Sequence, residues 1–265
     1  MTGKSMTYLF SSAGKAALKT FVHRTTLFAF DLDGTLAPIV ADPGKIAIPD
    51  DVRNRLIELD RMAPVAIITG RSRKDALLHL GFTPGFLVGN HGAEGLPGRE
   101  AYETEYVHLC RGWKEQLHMF LENRSTAGIV LEDKGSTLSL HYRSAHNREW
   151  THKEILTAVD RLVPPPRPVS GKFVENLVPM DASHKGDALL CIMQHLGCSR
   201  AIFIGDDETD EDVFRLSNDN ILGVRVGMSP LSSSRYYLRN QDEIGVLLDR
   251  FIETTDKEIP PVMYQ

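Results

Sequence analysis

Leu27-Phe28-Ala29-Phe30-Asp31-Leu32-Asp33-Gly34-Thr35-Leu36 sets four apolar residues directly against two carboxylates spaced two apart. An unbroken apolar run of this length suits a strand buried on both faces, as in a parallel sheet. The same construction recurs. Val65-Ala66-Ile67-Ile68 ends in Thr69-Gly70-Arg71, Phe86-Leu87-Val88 in Gly89-Asn90-His91-Gly92, and Ala201-Ile202-Phe203-Ile204 in Gly205-Asp206-Asp207. Helical patterns lie between the runs. Val52, Leu56, Leu59 and Ala63 follow a start at Pro49-Asp50. Ser72-x-x-Asp75 opens a helix over 75–80 that Gly81 stops, and 185–196 reads as a third, ended by Gly197. Strand and helix in alternation predict an α/β fold with a doubly wound, Rossmann-like parallel sheet. Such sheets bind ligands at the carboxyl ends of their strands, where every one of these polar clusters falls.

The middle of the chain reads differently. Ile129 to Asp133 runs into a turn at Lys134-Gly135, and Thr137 to Arg143 then alternates. Leu138, Leu140 and Tyr142 take one face, and Thr137, Ser139, His141 and Arg143 the other. That is a hairpin with one polar face. Helices are expected over about 106–123 and 147–162. A second hairpin is expected over 167–179, turning at Ser170-Gly171. Together these predict an inserted α+β cap domain over 97–180, with 1–96 and 181–265 forming the catalytic core. Met1 to Phe21 reads as a short lead-in helix or a frayed end, lacking the apolar stretch and cleavage site of a secretory signal.

Composition narrows the function. The chain has 265 residues, 42% hydrophobic, with a formal net charge of −5. That balance gives no global attraction for nucleic acid or an anionic membrane, so a phosphorylated small molecule would need local cations. No apolar run approaches the roughly 18 residues of a membrane span. Cys110, Cys191 and Cys198 are odd in number and lack metal-motif spacing, which predicts reduced thiols and a cytoplasmic setting.

Asp31 and Asp33 at a strand end would not both stay ionised without a cation. Magnesium needs only a few carboxylates plus water and phosphate. One aspartate can then attack phosphorus while the other gives and takes the proton of the leaving group and water. The acids of Gly205-Asp206-Asp207-Glu208-Thr209-Asp210 would complete the metal site from a second strand end; taken alone they also suit a helix N-terminus. Thr69, Gly70 and Arg71 offer a hydroxyl and backbone amides to phosphate oxygens, next to a helix start. Lys185, which alone would read as a solvated charge, can place an ammonium against both phosphate and nucleophile.

These four elements, in this order, resemble the haloacid dehalogenase superfamily of phosphotransferases. The resemblance implies Asp31 as nucleophile, Asp33 as general acid/base, and Thr69 and Lys185 on the phosphate. It implies Mg2+ held by Asp31, the Asp33 carbonyl and Asp206, with Asp207 and Asp210 nearby. Within the superfamily the chain is similar to the trehalose-6-phosphate phosphatases. That likeness is carried by Thr69-Gly70-Arg71-Ser72, His91-Gly92-Ala93-Glu94, Glu132-Asp133-Lys134-Gly135, His141-Tyr142-Arg143, Gly171-Lys172 and the Gly205 cluster. It implies hydrolysis of trehalose 6-phosphate in trehalose biosynthesis, with a trehalose-6-phosphate synthase as a pathway partner. It also implies a substrate surface of Gly70, Arg71, Asn90, His91, Glu132, Lys134, His141, Arg143, Lys172 and Asn176. One position departs from the family pattern. The family usually has a glutamate four residues after the Gly-Lys lysine, followed by Ile/Val-Arg/Lys-Pro. Aligning on Pro179 puts Asn176 there, with Val178 in place of the basic residue and Glu175 one position early, facing the other way. Another glycosyl phosphate as substrate, and a non-catalytic sugar-phosphate-binding domain partnering a synthase, are the alternatives at this point.

Overall fold

The computed structural model describes residues 6–40, 43–121 and 128–257. The chain opens with β1 (Thr7–Tyr8) and α1 (Ser12–Phe21), then runs through β2 (Leu27–Phe30), α2 (Asp50–Asp60), β3 (Val65–Ile68), α3 (Arg73–Leu80) and β4 (Phe86–Val88). An inserted unit follows, made of α4 (Glu100–Leu121), β5 (Val130–Asp133), β6 (Leu138–His141), α5 (Arg148–Val159), β7 (Arg167–Gly171) and β8 (Val174–Val178). The chain returns through α6 (Lys185–Leu196), β9 (Ala201–Gly205), α7 (Glu211–Phe214), β10 (Ile221–Val226), β11 (Tyr236–Leu238) and α8 (Ile244–Asp256).

Seven strands form one sheet in the order β1-β11-β10-β9-β2-β3-β4, all pairs parallel. From β2 the chain steps outward one way to β3 and β4. From β9 it steps the other way to β10 and β11. The order therefore reverses between β2 and β9, and the crevice outside their carboxyl ends is the expected ligand position. Successive side chains of a strand point to opposite faces, and here both faces are covered. Phe28 and Phe30 pack with Leu56 and Leu59 of α2 and with Leu247 and Phe251 of α8. Leu27 and Ala29 pack with Leu189 and Ile192 of α6. This is why the strand reads as a continuous apolar run.

In the inserted unit four antiparallel strands run β5-β6-β8-β7. One face packs on α4 and α5 through Trp113, Leu138, Leu140, Ile155 and Leu177. On the other face the register aligns Glu132, Ser139, Asn176 and Val169 in one row, with His141 and Val174 paired in a neighbouring row. Glu175, one residue away, turns to the helix side. It is fully buried and accepts from the Ser170 hydroxyl at 2.9 Å, with His152 Nε2 3.0 Å away.

Several boundaries differ from the sequence reading. The second hairpin turns at Lys172-Phe173 rather than Ser170-Gly171, with Phe173 taking φ +64°. Helix α3 begins at Arg73, because Ser72 accepts from the Asp75 N–H as the N-cap. Helix α4 begins six residues early, at Glu100, on polar residues that show no apolar period. At the N-terminus β1 pairs with β11, an edge strand two residues long and too short to leave a pattern. Residues 1–5, and 122–123 of the expected helix, lie outside the described residues. Among those described, the three cysteines are free and no helix is long and apolar enough to cross a membrane.

Candidate active site

The site is assembled where β2 and β9 end. Asp31, 4% exposed, follows β2 and accepts from Lys185 Nζ at 2.7 Å through Oδ1. The same ammonium donates to Asp210 Oδ1 at 2.7 Å, and the other Asp210 oxygen accepts from the N–H groups of Asp206 (2.8 Å) and Asp207 (2.9 Å). Lys185 is the first residue of α6, behind a capping box formed by His184 and Asp187. A cation at that end opposes the helix dipole, and it is held there by two buried carboxylates. Burial works against its charge, but Asp210 and Asp31 outweigh burial and raise its pKa. Asp206 accepts from the Thr35 hydroxyl at 3.3 Å. Gly34, at φ +85°, lies so close to Asp206 that a Cβ would sit 2.2 Å from its carboxylate oxygen, so only glycine permits this approach.

One oxygen each from Asp31, Asp206 and Asp210 lies within 4.8 Å of the other two. Burial, and then the neighbouring acids, push Asp206 up to about 7 against the pull of Lys185. Burial also raises Asp31 well above the ordinary aspartate range, with Lys185 opposing and Asp210 and Asp206 adding to the rise. Two carboxylates whose ionisation is disfavoured in this way are a fitting donor set for a hard divalent cation. Asp210 is already committed through both oxygens, so it buttresses the Asp206-Asp207 backbone.

Across the crevice Arg71 binds Asp33 through both oxygens, Nε to Oδ2 at 2.7 Å and Nη2 to Oδ1 at 2.8 Å, and donates to Asp75 Oδ2 at 2.6 Å. The Thr69 hydroxyl, 1% exposed, accepts from the Arg71 N–H at 3.2 Å. His91 takes a left-handed backbone at φ 59°, and its ring lies so near Gly70 that a Cβ there would meet Cε1 at 2.4 Å. Burial, with Lys185, Lys134 and Arg167, holds His91 well below the ordinary histidine range and therefore neutral. The inserted unit closes the far side. Lys134 donates to the Gly70 carbonyl at 3.3 Å, and His141 Nε2 lies 2.8 Å from a Glu132 oxygen. Asn176 accepts from the Ser139 hydroxyl at 2.6 Å, and Arg143 donates to the Lys172 carbonyl at 3.5 Å. The cleft between the two units encloses about 310 Å³.

The trehalose-phosphatase family profile matches residues 29–239. This chain belongs to the trehalose-phosphatase family. It is accordingly a phosphoric monoester hydrolase. Among curated relatives, probable trehalose-phosphate phosphatase E of Arabidopsis thaliana is 29% identical over 243 residues, covering 84% of this chain and 69% of that protein. Probable trehalose-phosphate phosphatase 4 of Oryza sativa subsp. japonica is 30% identical over 240 residues, covering 84% and 65%. The chain thus spans about two thirds of the length of these relatives. The structure of the C. albicans trehalose-6-phosphate phosphatase C-terminal domain shares the fold. Its TM-score is 0.73 at 19% identity, covering 95% of this chain and 99% of that one.

Seen in this trehalose-phosphatase cleft, most residues expected from the sequence line one cavity: Asp31, Asp33, Thr69, Gly70, Arg71, His91, Glu132, Lys134, His141, Arg143, Lys172, Asn176, Lys185, Asp206 and Asp207. Two do not. Asn90 is fully buried beneath it, donating to the Lys134 carbonyl at 3.1 Å and accepting from Thr137 at 2.9 Å, so it ties the two units together. Asp210 lies behind Lys185. Two further acids are engaged: the Asp33 carboxylate is bound by Arg71, which leaves its backbone carbonyl out of account, and Asp207 Oδ1 accepts from the Thr209 N–H at 3.1 Å. Sequence reading missed Asp75 as a partner of Arg71; the i,i+4 spacing of an arginine and an aspartate at a helix start was the available signal. It also missed Ile39, Val40 and Ile46 on the cleft wall, for which no pattern spoke.

The raised Asp206 carries a stability signature. A folded-state pKa of about 7 against an ordinary value of 3.8 means the folded protein binds the extra proton. The resulting stabilisation is full below about pH 4 and is lost as pH rises through 7. Melting of the metal-free family member is therefore expected to shift downward between pH 4 and 7. The Asp206→Asn variant should flatten that decline, and an unchanged slope in the variant would remove Asp206 as its source.

Proposed function

We propose that the chain hydrolyses trehalose 6-phosphate to trehalose and phosphate through an aspartyl-phosphate at Asp31, with residues 97–180 acting as a cap. The observation that carries this reading is the Lys185 ammonium shared between buried Asp31 and Asp210 at the reversal of strand order, opposite a polar sheet face. In the first step an Asp31 oxygen attacks phosphorus, the ester P–O bond breaks, and the leaving oxygen takes its electron pair and a proton from Asp33. In the second, water attacks the phosphorus of the acyl phosphate and gives a proton to Asp33, and the P–O bond to Asp31 breaks, restoring the carboxylate. Thr69 and Lys185 orient the phosphate oxygens. Asp31, Asp206 and the Asp33 carbonyl would hold Mg2+, which when bound neutralises charge on the phosphate oxygens. A disaccharide carries many hydroxyls, and a site built of paired donors and acceptors rejects analogues that leave them unmatched. Glu132, His141, Arg143, Lys172 and Asn176 provide that face.

Phosphate release from a panel of trehalose 6-phosphate, sucrose 6-phosphate, glucosylglycerol phosphate and glucose 6-phosphate tests the reading. Turnover is expected with magnesium, absent with a chelator, and highest on trehalose 6-phosphate. Preference for another ester would move the specificity and keep the chemistry.

A further inference from the structure

We propose that Arg71 is a positioning residue that holds Asp33 out of use, and that Glu132, carried by the inserted unit, draws the guanidinium away so that Asp33 can meet the leaving group. This rests on the reading above, in which Asp33 handles the proton. Both oxygens of Asp33 are engaged by Arg71, at 2.7 and 2.8 Å. A planar fork facing a carboxylate is the strongest geometry available to such a pair. While it lasts, each oxygen of Asp33 is committed to an Arg71 N–H, although the side chain borders the cleft. The third Arg71 contact, to Asp75, anchors the guanidinium on α3 without using the fork that holds Asp33. A competitor for that fork is near. Glu132 lies on β5 with its carboxylate 3.9 Å from Lys134 Nζ, and Lys134 itself touches the Gly70 carbonyl, one residue from Arg71. The His141 hydrogen bond chiefly, with Lys134 and Arg71 adding to it against burial, keeps Glu132 low and ionised. Among the described residues Arg71 touches Asp33 and Asp75 on the core, and Glu132, which lines the same cleft and feels the charge of Arg71, comes from the inserted unit. Movement of that unit toward the sheet exchanges one carboxylate partner for another with no change in charge, so the switch needs only a displacement.

The test is suppression between two variants, read on two esters. p-Nitrophenolate leaves without a proton, whereas a sugar alkoxide needs one. The sugar ester is whichever member of the panel the wild type turns over, so failure on trehalose 6-phosphate would shift the substrate reading and leave this comparison intact. In Glu132→Gln the guanidinium stays on Asp33. At saturation, kcat on the sugar ester should fall about 10²-fold further than kcat on p-nitrophenyl phosphate, the scale of a lost general acid. Turnover of p-nitrophenyl phosphate also reports that the variant is folded. Adding Arg71→Ala should then recover at least about tenfold of the lost kcat, because Asp33 is released. Three results would overturn the proposal: a double variant no faster than Glu132→Gln, a Glu132→Gln effect confined to KM, or an Arg71→Ala loss equal on both esters, the mark of a phosphate ligand.

Discussion

Asp31→Asn is expected to remove nearly all turnover while leaving the protein folded. A nucleophile cannot be supplied by its neighbours, and loss of the nucleophilic serine of a protease costs about 10⁶-fold in kcat, so a fall of at least about 10³-fold is expected here. Stability should move little. Asparagine keeps an oxygen that can accept from Lys185 Nζ, where the native contact is 2.7 Å. Asp31 also sits where burial, Asp210 and Asp206 disfavour its charge, so a neutral side chain removes repulsion along with attraction. Single-turnover phosphate release, a search for phosphorylated protein by mass spectrometry, and a melting curve would check this. A variant keeping more than a few per cent of wild-type turnover would mean that phosphorus is attacked by another group.

Lys185→Met should have the reverse balance, with a large loss of stability as well as of activity. The ammonium is 2% exposed and bridges two acids that are themselves 6% and 0% exposed. Methionine fills the space but leaves Asp31 and Asp210 facing each other without a cation, with Asp206 beside them. Breaking a buried ion pair from one side costs roughly 3–5 kcal/mol, which in a chain of this size corresponds to about 6–20 °C in Tm. Lower pH should narrow the gap, because protons can then neutralise the carboxylates in place of the ammonium. If wild type and variant melted together at pH 7, the network around Lys185 would not be a stabilising element, and its placement would serve chemistry alone.

Legibility in the sequence followed the physics of each element. Strands buried on both faces announce themselves as unbroken apolar runs, and β2, β3, β4 and β9 were all visible, each with its polar terminus. Alternation in β6 placed Ser139 and His141 on the polar face, and the two-residue period of β8 placed Asn176 with them and Glu175 on the far side. What stayed hidden was partnership between side chains. Nothing in the order of residues shows that Asp210 is spent on Lys185 and two backbone amides, or that Arg71 has taken Asp33. The motif brings the acids to one place, but their hydrogen bonds set Asp210 and the Asp33 carboxylate apart from the rest. Asn90 was misplaced for a related reason: it sits beside His91 in sequence, but its side chain turns under the cleft to bind the Lys134 carbonyl. Edge strand β1 and the start of α4 escaped because neither carries a hydrophobic period.

The chain leaves the sheet and comes back to it at one place: a Cβ on Gly92 would lie 2.6 Å from the Ser183 carbonyl oxygen. An insertion whose two ends meet can be lengthened, trimmed or exchanged without displacing any strand beneath it. Inheritance in such a protein can run at two speeds. The carboxylates at the strand ends and the lysine that opens α6 are bound to one another, so altering one disturbs the others. The face presented above them lies on a separate sheet, so a substitution there, as at Asn176, can reshape what the cleft meets and leave that network in place.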